Sequence, residues 1–156
     1  MELTAAPPAP DLRHAQLQAF LTQYAEPLRE LGCWPVSECR PEIMSPAFCK
    51  WHLGQIRPGF WPVLHHFTAP DAGAPHDHPR GFLSHVLAGG YAERIYHRQG
   101  ADWATTDVFR APGTAHYVAA AHIHRVLALP AGACWTLVLA GPVEQAWRHY
   151  DVGNAL

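Results

Sequence analysis

From Trp61 to Ala140 the sequence is a succession of short runs rich in Val, Leu, Tyr, Phe and Trp, each closed by a turn signal. The turn signals are Pro70-Asp71-Ala72-Gly73, Gly89-Gly90, Gln99-Gly100-Ala101-Asp102, Ala111-Pro112-Gly113 and Pro130-Ala131-Gly132. This spacing predicts strands over 61–68, 76–88, 91–98, 103–110, 114–119, 122–128 and 134–140. Because so many short strands leave little room for helices between them, the sequence predicts an all-β sandwich or barrel.

The sequence ahead of these strands predicts one amphipathic helix over about residues 11 to 31. Asp11 is a suitable N-cap, since its carboxylate can accept hydrogen bonds from the free N–H groups of the first turn. Apolar residues then recur at helical intervals until Gly32, which matches the glycine that often follows a helix. We expect the apolar stripe of this helix to cover an open face of the domain. Residues 33 to 61 show no clean period and are predicted to be irregular, with one strand near residues 51 to 56.

The length of the chain predicts one domain. Its 156 residues are assigned to a single domain over 1–156, with an N-terminal extension and helix over 1–32 and a barrel core over about 60–142. The formal net charge of −2 argues against a nucleic-acid partner, because nucleic-acid-binding domains are normally basic. No apolar run approaches the length of a membrane span, and the start MELTAAPPAP lacks the features of a signal peptide. We therefore expect a cytoplasmic protein that binds a small-molecule substrate and neither nucleic acid nor membrane.

Histidine is the residue type that points to chemistry. The sequence has twelve histidines, more than its eleven lysines and arginines together, and histidine is the commonest metal ligand in proteins. In His76-Asp77-His78 the two imidazoles would point to the same face of a strand, close enough to bind one ion. His122 and His124 have the same spacing on a later strand. These pairs predict one divalent metal ion bound by His76, His78 and a third histidine, for which His124 and His122 are rivals.

The spacing of these histidines resembles the two motifs of the cupin superfamily. The first motif runs glycine, five residues, H-x-H, three or four residues, glutamate, six residues and glycine. The H-x-H of this chain is His76 to His78, and its closing glycine is Gly89 or Gly90. The sequence departs from the motif at the glutamate and at the leading glycine, which fall on Phe82 or Leu83 and on Pro70.

The second cupin motif runs glycine, five residues, P-x-G, two residues, histidine, three residues and asparagine. Gly113 and His124 keep this spacing. The proline, glycine and asparagine of the motif are alanines here, at Ala119, Ala121 and Ala128. The register from Gly113 favours His124 over His122 as the third ligand. The resemblance covers about residues 60 to 142 and implies a double-stranded β-helix, the jelly-roll barrel of cupins, with the N-terminal helix packed on it.

The glutamate that is missing from the first motif indicates which cupins this chain resembles most in its ligands. Many cupins bind their metal with three histidines and one glutamate, whereas three neutral histidines leave the ion its full charge and leave coordination positions open. This pattern is similar to that of thiol dioxygenases such as cysteine dioxygenase, and of some diketone-cleaving dioxygenases. It implies a mononuclear non-haem Fe(II) site that binds a substrate and O2. Zn, Mn, Ni and Cu remain alternatives, because imidazole suits several divalent metals. The fold also implies a homodimer formed through sheet edges.

Strand alternation indicates which side chains share the face of His78. On the same strand they are Arg80, Phe82 and Ser84. Arg80 is the candidate for binding a substrate carboxylate, with a solvated charge at the rim as the alternative. Glu93 is the candidate for moving protons or for orienting a ligand histidine, with an exposed strand charge as the alternative. The candidates for lining the substrate pocket are Phe82, Ser84, His65 and Tyr91.

Three functions are consistent with these residues. The first is a mononuclear Fe(II) dioxygenase that oxidises a small organic substrate such as a thiol or a carbonyl compound. The second is a metal-dependent isomerase, lyase or decarboxylase in which the ion is a Lewis acid. The third is a non-catalytic module that binds a small ligand. The missing glutamate favours the first, and fold resemblance alone decides between none of them.

Overall fold

A computed structural model describes residues 41–53 and 61–155, together with the single positions Thr22 and Glu26. All but those two positions belong to the second of the chain's two compact units, Val36–Leu156. The helix predicted over residues 11 to 31 therefore lies outside the described residues, apart from the same two positions, and it stays a prediction, as does the single domain over 1–156. Among the described residues, none lies in a helix whose length and apolarity would let it cross a membrane.

The described residues form nine strands and a short terminal turn of 3-10 helix. The strands are β1 Pro41–Ser45, β2 Phe48–His52, β3 Trp61–Phe67, β4 Arg80–Ala88, β5 Tyr91–Gln99, β6 Asp102–Arg110, β7 Ala115–Val118, β8 Ile123–Ala128 and β9 Cys134–Val143. They pair antiparallel into a six-stranded sheet in the order β1-β2-β3-β9-β4-β7 and a three-stranded sheet in the order β6-β5-β8. The prediction of an all-β fold is confirmed.

Buried residues lie on both faces of the six-stranded sheet, and the face that packs towards the three-stranded sheet is here called the inner face. One buried cluster joins the two sheets and consists of Val86, Tyr91, Val126 and Cys134. A second cluster lies on the larger sheet and consists of Val63, Val138 and Ala140, with Trp61 and Phe82 packed against it. Because alternate residues of a strand share a face, the inner face carries the odd-numbered residues of β3 and the even-numbered residues of β4 and β9.

Two strand predictions need correction. The strand predicted over 76–88 begins only at Arg80, because the backbone before it pairs with different segments in turn. The N–H of Asp77 donates to Arg148 and that of His78 to Ala120, so no single partner strand extends the ladder. Pro79, which lacks an N–H group, separates this segment from β4.

The stretch before residue 61 is more regular than its sequence suggests. Residues 33 to 61 were expected to be irregular, yet β1 and β2 occupy 41–45 and 48–52. β2 pairs with β3 over its whole length and buries Cys49 and Trp51. The strand predicted near residues 51 to 56 coincides with β2 only at Trp51 and His52. Here pairing with a distant strand supplies the regularity that local alternation did not show.

The turn between β4 and β5 depends on two glycines. Gly89 and Gly90 have φ of 82° and 75°, a left-handed conformation in which side chains are strained. A Cβ at Gly89 would lie 1.9 Å from the carbonyl oxygen of Ala133. The turn predicted here is therefore tight, and its backbone lies so close to the start of β9 that position 89 has no room for a side chain.

Candidate metal centre

His76 and His124 lie opposite each other in an isolated antiparallel bridge. The N–H of His76 donates to the carbonyl of His124 at 3.1 Å, and the N–H of His124 donates to the carbonyl of His76 at 3.0 Å. His78 is anchored two residues on, where its N–H donates to the carbonyl of Ala120 at 3.0 Å. The loop before β4 and the start of β8 are thus held together by their backbones, and this brings their histidine side chains to one place.

The three imidazole rings form a compact group. The ring centroids of His76 and His78 are 5.3 Å apart, those of His76 and His124 are 5.0 Å apart, and those of His78 and His124 are 4.9 Å apart. One ring nitrogen from each histidine lies within 4.8 Å of the corresponding nitrogens of the other two. An ion about 2.1 Å from each nitrogen requires the nitrogens to lie within about 4 Å of one another, which small side-chain rotations would achieve.

The histidines from the loop are neutral at physiological pH. Burial lowers the pKa of His76 to about 4, with a further contribution from the neighbouring His124. Burial likewise lowers the pKa of His78 to about 2, again helped by His124 and then by His76. A neutral imidazole has a free lone pair, and metal binding requires that lone pair. These two histidines can therefore accept a cation without first losing protons.

Glu93 orients the third histidine. Its Oε2 atom lies 2.5 Å from Nδ1 of His124, and its Oε1 atom accepts a hydrogen bond of 2.6 Å from Nε of Arg110. The Glu93 side chain is 0% exposed. Burial by itself would raise the pKa of Glu93, but interactions with His122, His124 and Arg110 outweigh it and hold the pKa well below the usual range. With Nδ1 of His124 occupied by the carboxylate, its Nε2 is left for an ion.

His122 belongs to a different group from the three histidines. Its Nε2 atom lies 3.6 Å from Oε2 of Glu93, which is longer than a hydrogen bond, and its ring centroid is 5.1 Å from that of His124. The group in which His122 shares ligand distances contains Glu93 and His124, and neither His76 nor His78. Of the two rivals left by the sequence, the structure places His124 with His76 and His78.

The chemistry of this donor set fits a divalent metal ion. The Nδ1 atom of His78 is buried and has no hydrogen-bond partner among the described residues. A buried polar atom without a partner costs free energy, and a bound ligand removes that cost. Three imidazoles, one oriented by a carboxylate and one with an unpartnered buried nitrogen, suit Fe, Zn, Ni or Cu.

Asp77, between the two loop histidines, was not identified from the sequence as a site residue. Its side chain is 0% exposed and accepts hydrogen bonds from Gln145 Nε2 at 2.9 Å, Arg148 N at 2.7 Å, Arg148 Nε at 3.0 Å and Tyr150 Oη at 2.7 Å. Burial alone would raise the pKa of Asp77, but the bonds from Tyr150 and Arg148 together lower it. Asp77 thus ties the loop that carries His76 and His78 to the segment after β9.

An apolar wall lies beside the histidines. The ring centroid of Phe82 is 5.0 Å from that of His78, and Phe82 packs against the core cluster that contains Val63 and Val138. This places Phe82 next to the candidate ligands, as the sequence predicts for a pocket residue. The apolar surface limits the access of water to that side of the site.

Ser84 and Tyr91 form a separate buried polar group with His116. The Oη atom of Tyr91 lies 3.2 Å from Nε2 of His116, and Tyr91 also hydrogen-bonds Ser84. Burial raises the pKa of Tyr91 and lowers that of His116 to about 4. Both predicted pocket residues therefore contact each other, and the side chain they share is His116, which the sequence did not single out as a pocket residue.

His65 lies on the inner face of the six-stranded sheet, and Arg80 covers part of the same face. His65 lies among aromatic rings, with its centroid 5.1 Å from that of Phe48, and burial lowers its pKa to about 3. Arg80 places its guanidinium 5.3 Å from the ring centroid of Trp61, and its Nη1 atom donates to the carbonyl of Gly141 at 3.1 Å. Among the described residues no carboxylate pairs with Arg80. No side chain of this group therefore takes the place of the substrate carboxylate that the sequence predicts for Arg80.

The comparison with known proteins rests on structure alone. No protein-family model and no curated sequence matches this chain. Structures of Bacillus subtilis oxalate decarboxylase OxdC match with a TM-score of 0.54 at 15% identity, covering 70% of this chain and 29% of that enzyme. KdgF from Halomonas sp. matches with a TM-score of 0.51 at 17% identity, covering 69% of this chain and 94% of that chain.

Both of these proteins are cupins. The chain has the cupin fold. It spans less than a third of the length of oxalate decarboxylase. One of the matching structures concerns the Mn(II) centres of oxalate decarboxylase, at a TM-score of 0.55 and 14% identity. The cupin resemblance read from the histidine and glycine spacing is thereby confirmed at the level of the fold.

Proposed function

We propose that this cupin is a metal-dependent enzyme that holds one divalent ion between His76, His78 and His124. The observation that carries the proposal is the meeting of three imidazoles, of which His76 and His78 are neutral, in a group that contains no carboxylate ligand. Phe82 lies next to His78, at the part of the chain where the cupin motif has its glutamate. A ligand set without charge leaves the bound ion strongly electrophilic.

We propose further that the reaction is the oxygenation of a small organic substrate at an Fe(II) site. When bound, the ion supplies an electrophilic centre with open positions for substrate and O2. The support is the three-histidine set, which resembles that of thiol and diketone dioxygenases. Glu93 holds the Nδ1 proton of His124 and keeps the ring in place, while Phe82 excludes water beside His78.

The position of Glu93 favours an orienting role over proton transfer to a substrate. Both of its carboxylate oxygens have partners, His124 and Arg110, and the side chain is fully buried. A group that moves protons must come within hydrogen-bond reach of the substrate. We therefore propose that Glu93 acts through His124.

A non-oxidative reaction is the second candidate, with the ion as a Lewis acid. The observation that favours it is the structural likeness to oxalate decarboxylase, a decarboxylase with Mn(II) centres. The two candidates differ in their need for oxygen. Turnover of a substrate under strict anaerobiosis would support the second and exclude the first for that substrate.

Metal analysis and oxygen uptake test the proposal together. The purified protein is analysed for metals, stripped, reloaded anaerobically with Fe(II) and supplied with O2 and a panel of small thiols and diketones. We expect one bound ion per chain and substrate-dependent oxygen uptake. The variant His124→Ala should lose the ion, and His122→Ala, two residues away, should keep it. A stoichiometric zinc content, with no oxygen uptake after Fe(II) loading, would overturn the dioxygenase assignment.

A further inference from the structure

Trp147 is a large apolar side chain that solvent reaches beside the three histidines. It is 55% exposed, and its ring centroid lies 6.1 Å from that of the candidate ligand His76 and 4.5 Å from that of His149. The indole meets these two imidazoles at 75° and 58°, so neither ring stacks parallel on it. Much of the indole is therefore left open to solvent next to the candidate metal centre.

The backbone around Trp147 is fixed to the loop that carries the ligands. The N–H of Arg148 donates to Oδ1 of Asp77 at 2.7 Å, and the N–H of Asp77 donates to the carbonyl of Arg148 at 3.0 Å. His149 lies opposite His76 in an isolated antiparallel bridge. Single exposed aromatic side chains are common on protein surfaces. Trp147 differs because its neighbours are anchored beside the histidines, so little conformational entropy is lost when a ligand contacts it.

The histidines are open to solvent on the side of Trp147. Beside His78 the space is taken by Phe82, which packs against the core cluster of the larger sheet. Among the described residues, the exposed side chains whose rings contact the three histidines are Trp147 and His149. A molecule bound at the histidines therefore has room to extend towards these two rings.

We propose that Trp147 forms an outer wall of the ligand site and that the substrate carries an aromatic or other flat apolar ring, which packs on the indole. This inference names the substrate class of the proposed function, and it rests on that function for the ion that holds the other end of the molecule. Aromatic rings attract each other in offset-stacked arrangements by more than the burial of their surface provides. The ring would also cover apolar surface that water otherwise contacts.

Two metal-chelating probes test the outer wall. Benzohydroxamate carries a phenyl ring where acetohydroxamate carries a methyl group, and both chelate a metal ion through the same two oxygens. The full chain is loaded with Zn(II), which has no redox chemistry, and each probe is titrated by calorimetry. We expect benzohydroxamate to bind about three- to tenfold more tightly than acetohydroxamate. Trp147→Ala should abolish this preference and leave the affinity for acetohydroxamate unchanged.

Two further variants are the controls. Trp147→Phe keeps an aromatic face and should keep most of the preference for benzohydroxamate. Phe109 is similarly exposed, at 52%, but it lies on β6 beside the turn at Gly90. Phe109→Ala should therefore leave both affinities unchanged. A preference that survives in Trp147→Ala, or that Phe109→Ala removes equally, would overturn the outer wall.

A second measurement uses the unmutated chain. Labelling with 15N gives one indole N–H signal for each of the six tryptophans, and the signal that is missing from Trp147→Phe belongs to Trp147. Benzohydroxamate should shift this signal through the ring current of its phenyl group, and acetohydroxamate should shift it much less. A Trp147 signal that benzohydroxamate leaves unmoved, or a zinc-loaded chain that binds neither probe, would refute the inference.

The outer wall and the enzymatic proposal can fail separately. If the zinc-loaded chain shows the preference and the Trp147 shift, but the Fe(II)-loaded chain turns over no substrate, the outer wall is upheld and the enzymatic proposal alone fails. If the Fe(II)-loaded chain consumes oxygen with a substrate, but Trp147→Ala binds both probes as the unmutated chain does, the enzymatic proposal is upheld and the outer wall is refuted.

Discussion

Replacement of Glu93 by glutamine removes a buried negative charge that lies between His124 and Arg110. Arg110 is left with 21% of its side chain exposed and no carboxylate partner. Loss of one member of a buried pair costs about 3 to 5 kcal/mol, and we lower this to about 2 to 3 kcal/mol because Arg110 reaches water and the amide oxygen still accepts one bond. For a domain of this size the melting temperature should fall by roughly 4 to 12 °C.

The same change should weaken metal binding. Without the carboxylate the Nδ1–H of His124 is held less firmly, and removal of such a partner lowers metal affinity by about 10- to 100-fold. Competition with a chelator of known affinity measures the metal, and thermal melting measures the stability of the metal-free protein. Measuring them separately distinguishes a misplaced ligand from a generally weakened fold.

Asp107→Asn is the matched control. Arg94 and Asp107 pair across β5 and β6 like Glu93 and Arg110, with bonds of 2.7 and 2.9 Å, but this pair is exposed. Its loss should change the stability little, because solvent screens an exposed pair, and should leave metal affinity unchanged. If Glu93→Gln bound metal as tightly as the control variant, the role of Glu93 in orienting His124 would be refuted.

Three further changes have defined outcomes. Asp77→Asn should lower metal affinity at least tenfold in chelator competition, because the loop of the two ligand histidines loses charge-assisted bonds from the segment after β9. Because burial lowers the pKa of His65 to about 3, its neutral form contributes stability that is complete above pH about 6.5 and declines as the pH falls towards 3. Urea midpoints should therefore drop between pH 7 and 4, less steeply in His65→Gln; equal slopes would contradict this. Gly89→Ala should destabilise by more than about 1 kcal/mol in urea unfolding, whereas Gly73→Ala, which meets no atom within 4 Å, should not.

The sequence predicted the parts of this protein that depend on local pattern. Strand runs between turn signals recur from β3 to β9, and the glycines at positions 89 and 90 adopt the positive φ that their turn requires. The spacing of His76, His78 and His124 anticipated the three rings that meet. Local alternation and turn chemistry are properties of neighbouring residues, so they can be recognised in the sequence before the fold is known.

The remaining features depend on contacts between residues far apart in the chain. Asp77 accepts its hydrogen bonds from residues more than sixty positions later, and no neighbouring residue in the sequence indicates them. Lys50 comes to lie on the inner face only because β2 pairs with β3. The strand expected at His76 gave way to an isolated bridge because its backbone finds several partners in turn.

The attachment of the His76–His78 loop to the segment after β9 has a consequence for biosynthesis. Gln145 donates to Asp77, to the carbonyl of His78 and to the carbonyl of Ala120, so one side chain joins both halves of the histidine group. During synthesis His76 and His78 are made long before Gln145 and Tyr150, and His124 is made shortly before them. We therefore expect a growing chain to hold no ordered metal site until residue 150 has left the ribosome, which delays metal capture until the barrel is nearly complete.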